Sequence, residues 1–194
     1  MNGNIIEYVC VYVILVGFFL IEHFIRKGKD TKSMDRTEFD KGSTSFISVV
    51  MGLAFILIPL SPVLNYLKIG IIYKTWISVC GIVLGIIGLI IRYIAFSTLG
   101  EHFTRVLRKT NEHILITNGI YHYIRHPGYL SDFLIFIGIS LGMKNIITII
   151  VVPVLFIPAY MYRIYTEEKM MLEIFGEKFI EYRKNTKCII PFIY

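Results

Sequence analysis

The chain has 194 residues, 55% of them hydrophobic and only 18% charged, with a formal net charge of +6. A mean hydropathy of +0.65 lies far above that of a water-soluble domain and excludes one, and the length suits a single domain. The basic balance does not point to nucleic acid, because no soluble surface carries basic residues interleaved with exposed aromatics.

The first apolar run, Ile5 to Ile25, is interrupted by Glu7, Glu22 and His23. No Lys or Arg precedes Arg26 and no small-residue cleavage site follows, so the run reads as a membrane helix and not as a signal peptide. The segment Lys27 to Ser45 mixes both signs of charge with Gly and Ser and reads as a solvated connector. Phe46 to Leu64 and Trp76 to Phe96 are each long enough to cross a bilayer core, which takes about 20 helical residues. Within the latter, Gly81, Gly85 and Gly88 lack the strand that a nucleotide loop needs; small residues here let membrane helices pack closely. Tyr129 to Met143 is short, and Ile146 to Tyr162 is interrupted by Pro153 and Pro158. Lys144-Asn145 between them reads as a tight turn.

Beyond the last run, RIYTEEKMMLEIFGEKFIEYRKNTK sets Met170, Met171, Ile174, Phe175 and Phe179 on one helical face and charged residues on the other. Gly176 is placed to end its first helix. The expected fold is an all-α integral membrane protein: five transmembrane helices, the last two a hairpin, then a cytosolic C-terminal amphipathic segment. Residues 1–96 form three plain spans and residues 97–194 carry the organised polar clusters.

Charge sets the expected orientation. Segments 26–41, 92–128 and 163–194 hold 17 of the 20 Lys and Arg, whereas the other side keeps Lys68, Lys74 and Lys144. The N-terminus is therefore expected outside, with the C-terminus and the polar clusters facing the cytosol and its anionic membrane lipids. Cys10, Cys80 and Cys188 form no disulfide framework.

Candidate chemistry concentrates in GIYHYIRHPGYLSDF, Gly119 to Phe133. His122 and His126 stand at i, i+4, but the pair lacks the HExxH glutamate and Pro127 interrupts the helix, so no metal site is assigned. No serine sits on a glycine-flanked sharp turn as a hydrolase nucleophile would. Arg92, near the end of its span, reads as a snorkelling cation. Asp132 inside the fourth span calls for a cavity or a partner. Asn118-Gly119 marks a turn, and Pro127 starts the next helix from its first position. Helix-start N–H groups there suit a polar or anionic ligand, and Tyr121, His126 and Tyr129 offer faces to a heterocycle or a sulfonium. Arg163 and Glu167, at i, i+4, lie where the fifth span ends and could be a simple structural pair.

HILITNGIYHYIRHPGYL (His113 to Leu130), LGEHFT (Leu99 to Thr104) and RIYTEEKMMLEIFGEKFIEYRK closing on PFI resemble the isoprenylcysteine carboxyl methyltransferase family, from about residue 92 onward. The resemblance implies a membrane methyltransferase that uses S-adenosylmethionine, with a lipophilic substrate entering from the bilayer. It implies a cofactor pocket of His113, Ile114, Leu115, Ile116, Tyr121, His126, Pro127, Gly128 and Tyr129, closed by Glu167, with Arg163 facing the acceptor as the catalytic and substrate-binding residue. Gly128 replaces a common Ser, and Ser131-Asp132 replaces a frequent glycine. A carboxylate acceptor is already ionised at neutral pH and needs no base; an amine, phenol or thiol would need one, from Glu168 or a histidine. The competing reading is an NADPH-dependent membrane sterol-type reductase, for which an acid such as Asp132 would be relevant. A non-enzymatic scaffold or transporter fits less well, because the polar clusters gather at one face and not near mid-bilayer.

Overall fold

The computed structural model describes residues 2–24, 40, 42–100 and 114–189, and among these the regular structure is helical with no strand. The helices are α1 (Asn2–Phe24), α2 (Ser43–Tyr66), α3 (Thr75–Leu99), α4 (Pro127–Gly142), α5 (Ile146–Phe175) and α6 (Glu177–Asn185), with a 3-10 turn at Gly119–His122. Four of them, α1, α2, α3 and α5, are long and apolar enough to cross a membrane. Helix α4 has 16 residues, about 24 Å, and falls short of a hydrocarbon core of about 30 Å.

What α4 lacks in length it recovers in burial. Ser131, Asp132, Ile135, Phe136, Gly138, Ile139, Ser140 and Gly142 are all buried. Its closest neighbour is α3, and the glycines decide how close. A Cβ on Gly138 would stand 2.5 Å from the Gly85 backbone nitrogen, and one on Gly81 would stand 2.5 Å from the Gly138 carbonyl oxygen. The glycine run of α3 is thus a packing groove, as the sequence suggests, and close van der Waals contact stands in for the hydrophobic drive that lipid removes. An aromatic seam continues the core: Phe18, Phe136, Phe156 and Tyr160 are buried, with ring centroids 5.4 Å apart for Phe18–Phe136 and 4.7 Å for Phe136–Phe156.

Helix α5 departs from expectation. Pro153 and Pro158 do not interrupt it; both lie inside one helix of 30 residues. In an apolar bundle the helix is the conformation that satisfies most backbone groups, so a missing N–H is absorbed locally instead of ending the element. Arg163, Glu167 and Glu168 therefore ride on the same continuous rod as the apolar stretch. Gly176, at φ 52, ends it and leads into α6.

Lys144 and Asn145 do form the tight turn between α4 and α5, with Lys144 at φ 51. Lys144 is buried and paired with Glu7 of α1. Beside it, Asn145 donates to Asn65 Oδ1 at 2.8 Å and to the Ile69 carbonyl at 2.9 Å. Asn65 in turn donates to the Met143 carbonyl at 2.8 Å and to Tyr8 Oη at 3.0 Å. This is the turn end of the bundle; the opposite end carries the sequence motifs and is called the motif end below.

Arg92 does not snorkel. It is 2% exposed and pairs with Glu22 of α1 and Asp132 of α4. Its guanidinium lies over the rings of Phe18 and Phe96, at 4.3 and 4.4 Å. Asp132 also accepts from Tyr160 Oη of α5 at 2.8 Å. A cation with two carboxylates within its own bundle has no reason to reach for water, and the network ties four helices together. Asp132 thereby has its partners.

Candidate functional site at the motif end

The segment before α4 is held by the segment after α6. Arg125 N donates to the Lys187 carbonyl (2.8 Å), His126 N to the Cys188 carbonyl (3.0 Å), and Lys187 N to the Tyr123 carbonyl (3.1 Å). The Arg125 side chain reinforces this by donating from Nη1 to the Thr186 carbonyl at 2.5 Å, and Tyr182 Oη donates to the Tyr121 carbonyl at 2.7 Å. The chain turns at Gly119 (φ 57) as Asn118-Gly119 suggests, and Pro127 starts α4. The sequence places RHPGY and the C-terminal residues about 60 positions apart; the fold joins them by backbone hydrogen bonds.

Three electrostatic groups meet there. In the first, Glu168 accepts from Arg125 Nε at 2.8 Å and lies 3.3 Å from His126 Nε2, with Arg183 Nε 3.5 Å from its other oxygen. In the second, Tyr129 Oη donates to Glu167, and the Tyr129 ring stacks on His126 with centroids 5.5 Å apart and planes inclined by 19°. His126 Nδ1 stands 4.0 Å from Glu167. In the third, Arg163 donates from Nε to Tyr129 Oη at 3.2 Å and from Nη1 to Asp40 Oδ1 at 2.8 Å. Arg163 is 5% exposed and Asp40 1%. The i, i+4 pair expected between Arg163 and Glu167 is thus bridged by the Tyr129 hydroxyl and is not direct.

Tyr121, buried with Ala95 and Phe96, has its phenol pushed well above the usual range by burial first and then by the charge of Glu167. Ile116 packs on the same cluster, Leu115 is half-buried and Ile114 is exposed. Gly128 faces Phe96, whose Cε1 would be 3.4 Å from an added Cβ, so a serine fits there. His113 lies outside the described residues, as do residues 101–104 of LGEHFT and the PFI that follows Ile190.

Arg125, Tyr182 and above all Asp40 were not among the expected site residues, and Glu168 was considered only as a base for a non-carboxylate acceptor. Asp40 and Ser43 lie within the stretch Lys27 to Ser45 read as a solvated connector, yet both are buried. A signal was available: Asp40 followed by Ser43-Thr44 just before an apolar run has the form of a helix start.

The chemistry of the site can be read from its charges. Arg125 neutralises Glu168, and Asp40 neutralises Arg163. Glu167 is left with a neutral hydroxyl and a distant imidazole, an excess of negative charge beside three aromatic rings. That suits a cationic ligand. The ligand atoms of His126, Glu168 and Cys188 lie within 4.8 Å of one another, a spacing compatible with a metal. Two guanidiniums on Glu168 oppose a dication, and burial, followed by the nearby Glu168 charge, raises the Cys188 thiol above its usual value.

Comparison with known proteins identifies the pattern. Residues 81–173 match the isoprenylcysteine carboxyl methyltransferase family. The chain is similar to the protein-S-isoprenylcysteine O-methyltransferase of Tribolium castaneum, 33% identical over 123 residues that cover 61% of this chain and 43% of the relative. It is also similar to the B form from Arabidopsis thaliana, 34% identical over 64% of either chain, and to the human protein, 32% identical over 61% of this chain and 43% of that one. Among solved structures it resembles a eukaryotic intramembrane Ras methyltransferase, an isoprenylcysteine carboxyl methyltransferase, at a TM-score of 0.61 and 28% identity, covering 76% of this chain and 52% of the other. The chain spans about half the length of most of these relatives. The resemblance read from the sequence holds over residues 81–173. Asp132 loses its weight for a reductase because Arg92 and Tyr160 engage it.

Proposed function

We propose that this chain, similar to the isoprenylcysteine carboxyl methyltransferase family over residues 81–173, is a membrane methyltransferase that transfers a methyl group from S-adenosylmethionine to a lipophilic carboxylate acceptor. The observation that carries the reading is the charge balance at the motif end: Glu167, which among the described residues meets no Lys or Arg side chain at ion-pair distance and has only the His126 imidazole at 4.0 Å, lies on the same helix as a buried guanidinium, Arg163. When bound, S-adenosylmethionine supplies an electrophilic methyl on a sulfonium. Glu167 accepts from the donor's ammonium or hydroxyl groups, and Tyr121, His126 and Tyr129 present aromatic faces; Ile114, Leu115, Ile116, Pro127 and Gly128, with His113, complete the pocket in this reading. Arg163 orients the acceptor carboxylate. That carboxylate is ionised at neutral pH, so the protein's work is alignment and exclusion of water and not proton removal.

In the same reading α4 is a fifth, short span, residues 1–96 are scaffold and residues 97–194 catalytic. The N-terminus lies outside, the motif end and α6 face the cytosol, and the acceptor enters from the bilayer. Two experiments test this. Calorimetric titration of the detergent-purified protein should show binding of S-adenosylmethionine and S-adenosylhomocysteine but not NADPH; binding of NADPH alone would replace the methyltransferase with a reductase. Single cysteines at Lys74 and Lys187, both exposed, should label from opposite sides of intact cells, and labelling from one side would refute the topology.

A further inference from the structure

Asp40 takes no part in the function proposed above, yet among the described residues it is the most completely buried carboxylate at the motif end. Its Oδ1 accepts from Ser43 Oγ at 3.1 Å, from Thr44 N at 3.2 Å and from Thr44 Oγ1 at 2.5 Å, all in the first turn of α2. The same oxygen meets Arg163 Nη1 at 2.8 Å, and Ser43 Oγ and Thr44 Oγ1 each lie 2.9 Å from that nitrogen. A carboxylate fastened by three donors of its own helix start is a fixed point.

Its effect is on Arg163. A guanidinium is planar, and two of its nitrogens are now held from opposite elements: Nη1 by the start of α2, Nε by Tyr129 of α4. Holding both fixes the plane as well as the position. Tyr129 in turn donates to Glu167, so the order runs Asp40, Arg163, Tyr129, Glu167 from the start of α2 across to the proposed methyl-donor pocket. Tying α2 to α5 does not require this clasp. Nearer the turn end the same two helices are joined by Ser61 and Thr148 hydroxyls 2.8 Å apart. Nor does Asp40 imitate an acceptor. A carboxylate bound as substrate would lie across the fork with both oxygens; Asp40 uses one oxygen, and its Oδ2 is buried with no hydrogen-bond partner.

We propose that Asp40 is a positioning residue for methyl transfer, holding the Arg163 guanidinium in the orientation that receives the acceptor carboxylate. The proposal rests on the carboxylate-acceptor reading of the site. The test uses the purified full chain with S-adenosylmethionine and N-acetyl-S-farnesylcysteine. Asp40→Ala should lower kcat/KM for the acceptor about tenfold or more, while the dissociation constant for S-adenosylhomocysteine moves by less than about threefold. Asp40→Asn keeps an oxygen at the Oδ1 position and should restore most of the loss, a rescue that also serves if the alanine variant does not fold. Wild-type kcat/KM in Asp40→Ala, or equal losses for acceptor and cofactor product, would overturn the positioning role. Failure of the wild type to methylate the acceptor would instead count against the proposed function. A thermal-unfolding cycle of Asp40→Asn with Arg163→Lys then judges the clasp by itself: non-additive melting shifts support it and additive ones overturn it.

Discussion

The two ends of the bundle both bury charge, and they use it differently. At the turn end, Glu7 meets Lys144, and Asn65, Asn145, Tyr8 and two backbone carbonyls close on one another. Each partner there serves to join helices. At the motif end, Asp40, Arg163, Tyr129 and Glu167 form an open series that finishes on a carboxylate which, among the described residues, meets no Lys or Arg and only the His126 ring at 4.0 Å. A closed polar knot is what a membrane bundle builds to hold its shape; an open series with charge left over is what it builds to receive something. Between the two lies the Arg92 network, structural in form and joined to the motif-end cluster through Tyr160, whose ring packs 5.4 Å from that of Tyr129.

The comparison can be broken in several ways. The largest effect should come from Arg92→Met, which strands Glu22 and Asp132 in the bundle; breaking a buried pair costs about 3–5 kcal/mol, and thermal unfolding in detergent should show it. Lys144→Met should also destabilise, but at unchanged turnover per folded molecule; a selective loss of turnover would erase the distinction between the ends. Arg163→Lys keeps the charge and loses the fork. Carboxylate turnover should fall about 100-fold, or ~2.7 kcal/mol in the barrier, with cofactor-product affinity retained, and steady-state kinetics with calorimetry would decide it. Glu167→Ala should weaken cofactor binding by about 1.5–3 kcal/mol, the size of a charge-assisted contact, with little change in melting temperature.

A smaller effect concerns pH. Burial would raise the Asp40 carboxyl, but hydrogen bonds from Thr44 and Ser43 and the Arg163 charge hold it below the ordinary value. A lowered carboxyl stabilises the fold above its unfolded pKa, about 3.9, and that contribution is lost as pH falls through the lowered value. The stability gap between wild type and Asp40→Asn should therefore be flat from about pH 5 to 8 and shrink below about pH 4. Smallest of all, Gly128→Ser should change stability by less than about 0.5 kcal/mol, because among the described residues its Cβ would meet only Phe96, at an ordinary contact distance.

Much of the architecture was legible in the residues because each long apolar run is one helix, and because GIVLGIIG, Lys144-Asn145 and Gly176 act locally. The continuity of α5 was not. Proline costs are learned in water, where a broken helix can hydrogen-bond to solvent, and the bundle offers no such exit. At the site, RHPGY and the spacing from Arg163 to Glu167 pointed to residues that the fold does bring together, Tyr129 with Glu167 and Arg163. What the residues could not disclose were partnerships across distance: Arg92 with Glu22, 70 positions away, or Arg163 with Asp40, 123 away. A charge's role depends on what neutralises it, and that is settled only when the helices meet.

The unbroken α5 has a mechanical consequence. A rod of 30 residues is about 45 Å long, and a change of 10° in its tilt would swing one end by about 8 Å relative to the other, while bilayers of different thickness ask helices to tilt by such amounts. Asp40 and Tyr129 grip this rod at Arg163, on the far side of both prolines from Asn145. Lipid acyl-chain length should therefore act on the site as a lever acts on a latch, with short chains and long chains loading the same two hydrogen bonds in opposite directions.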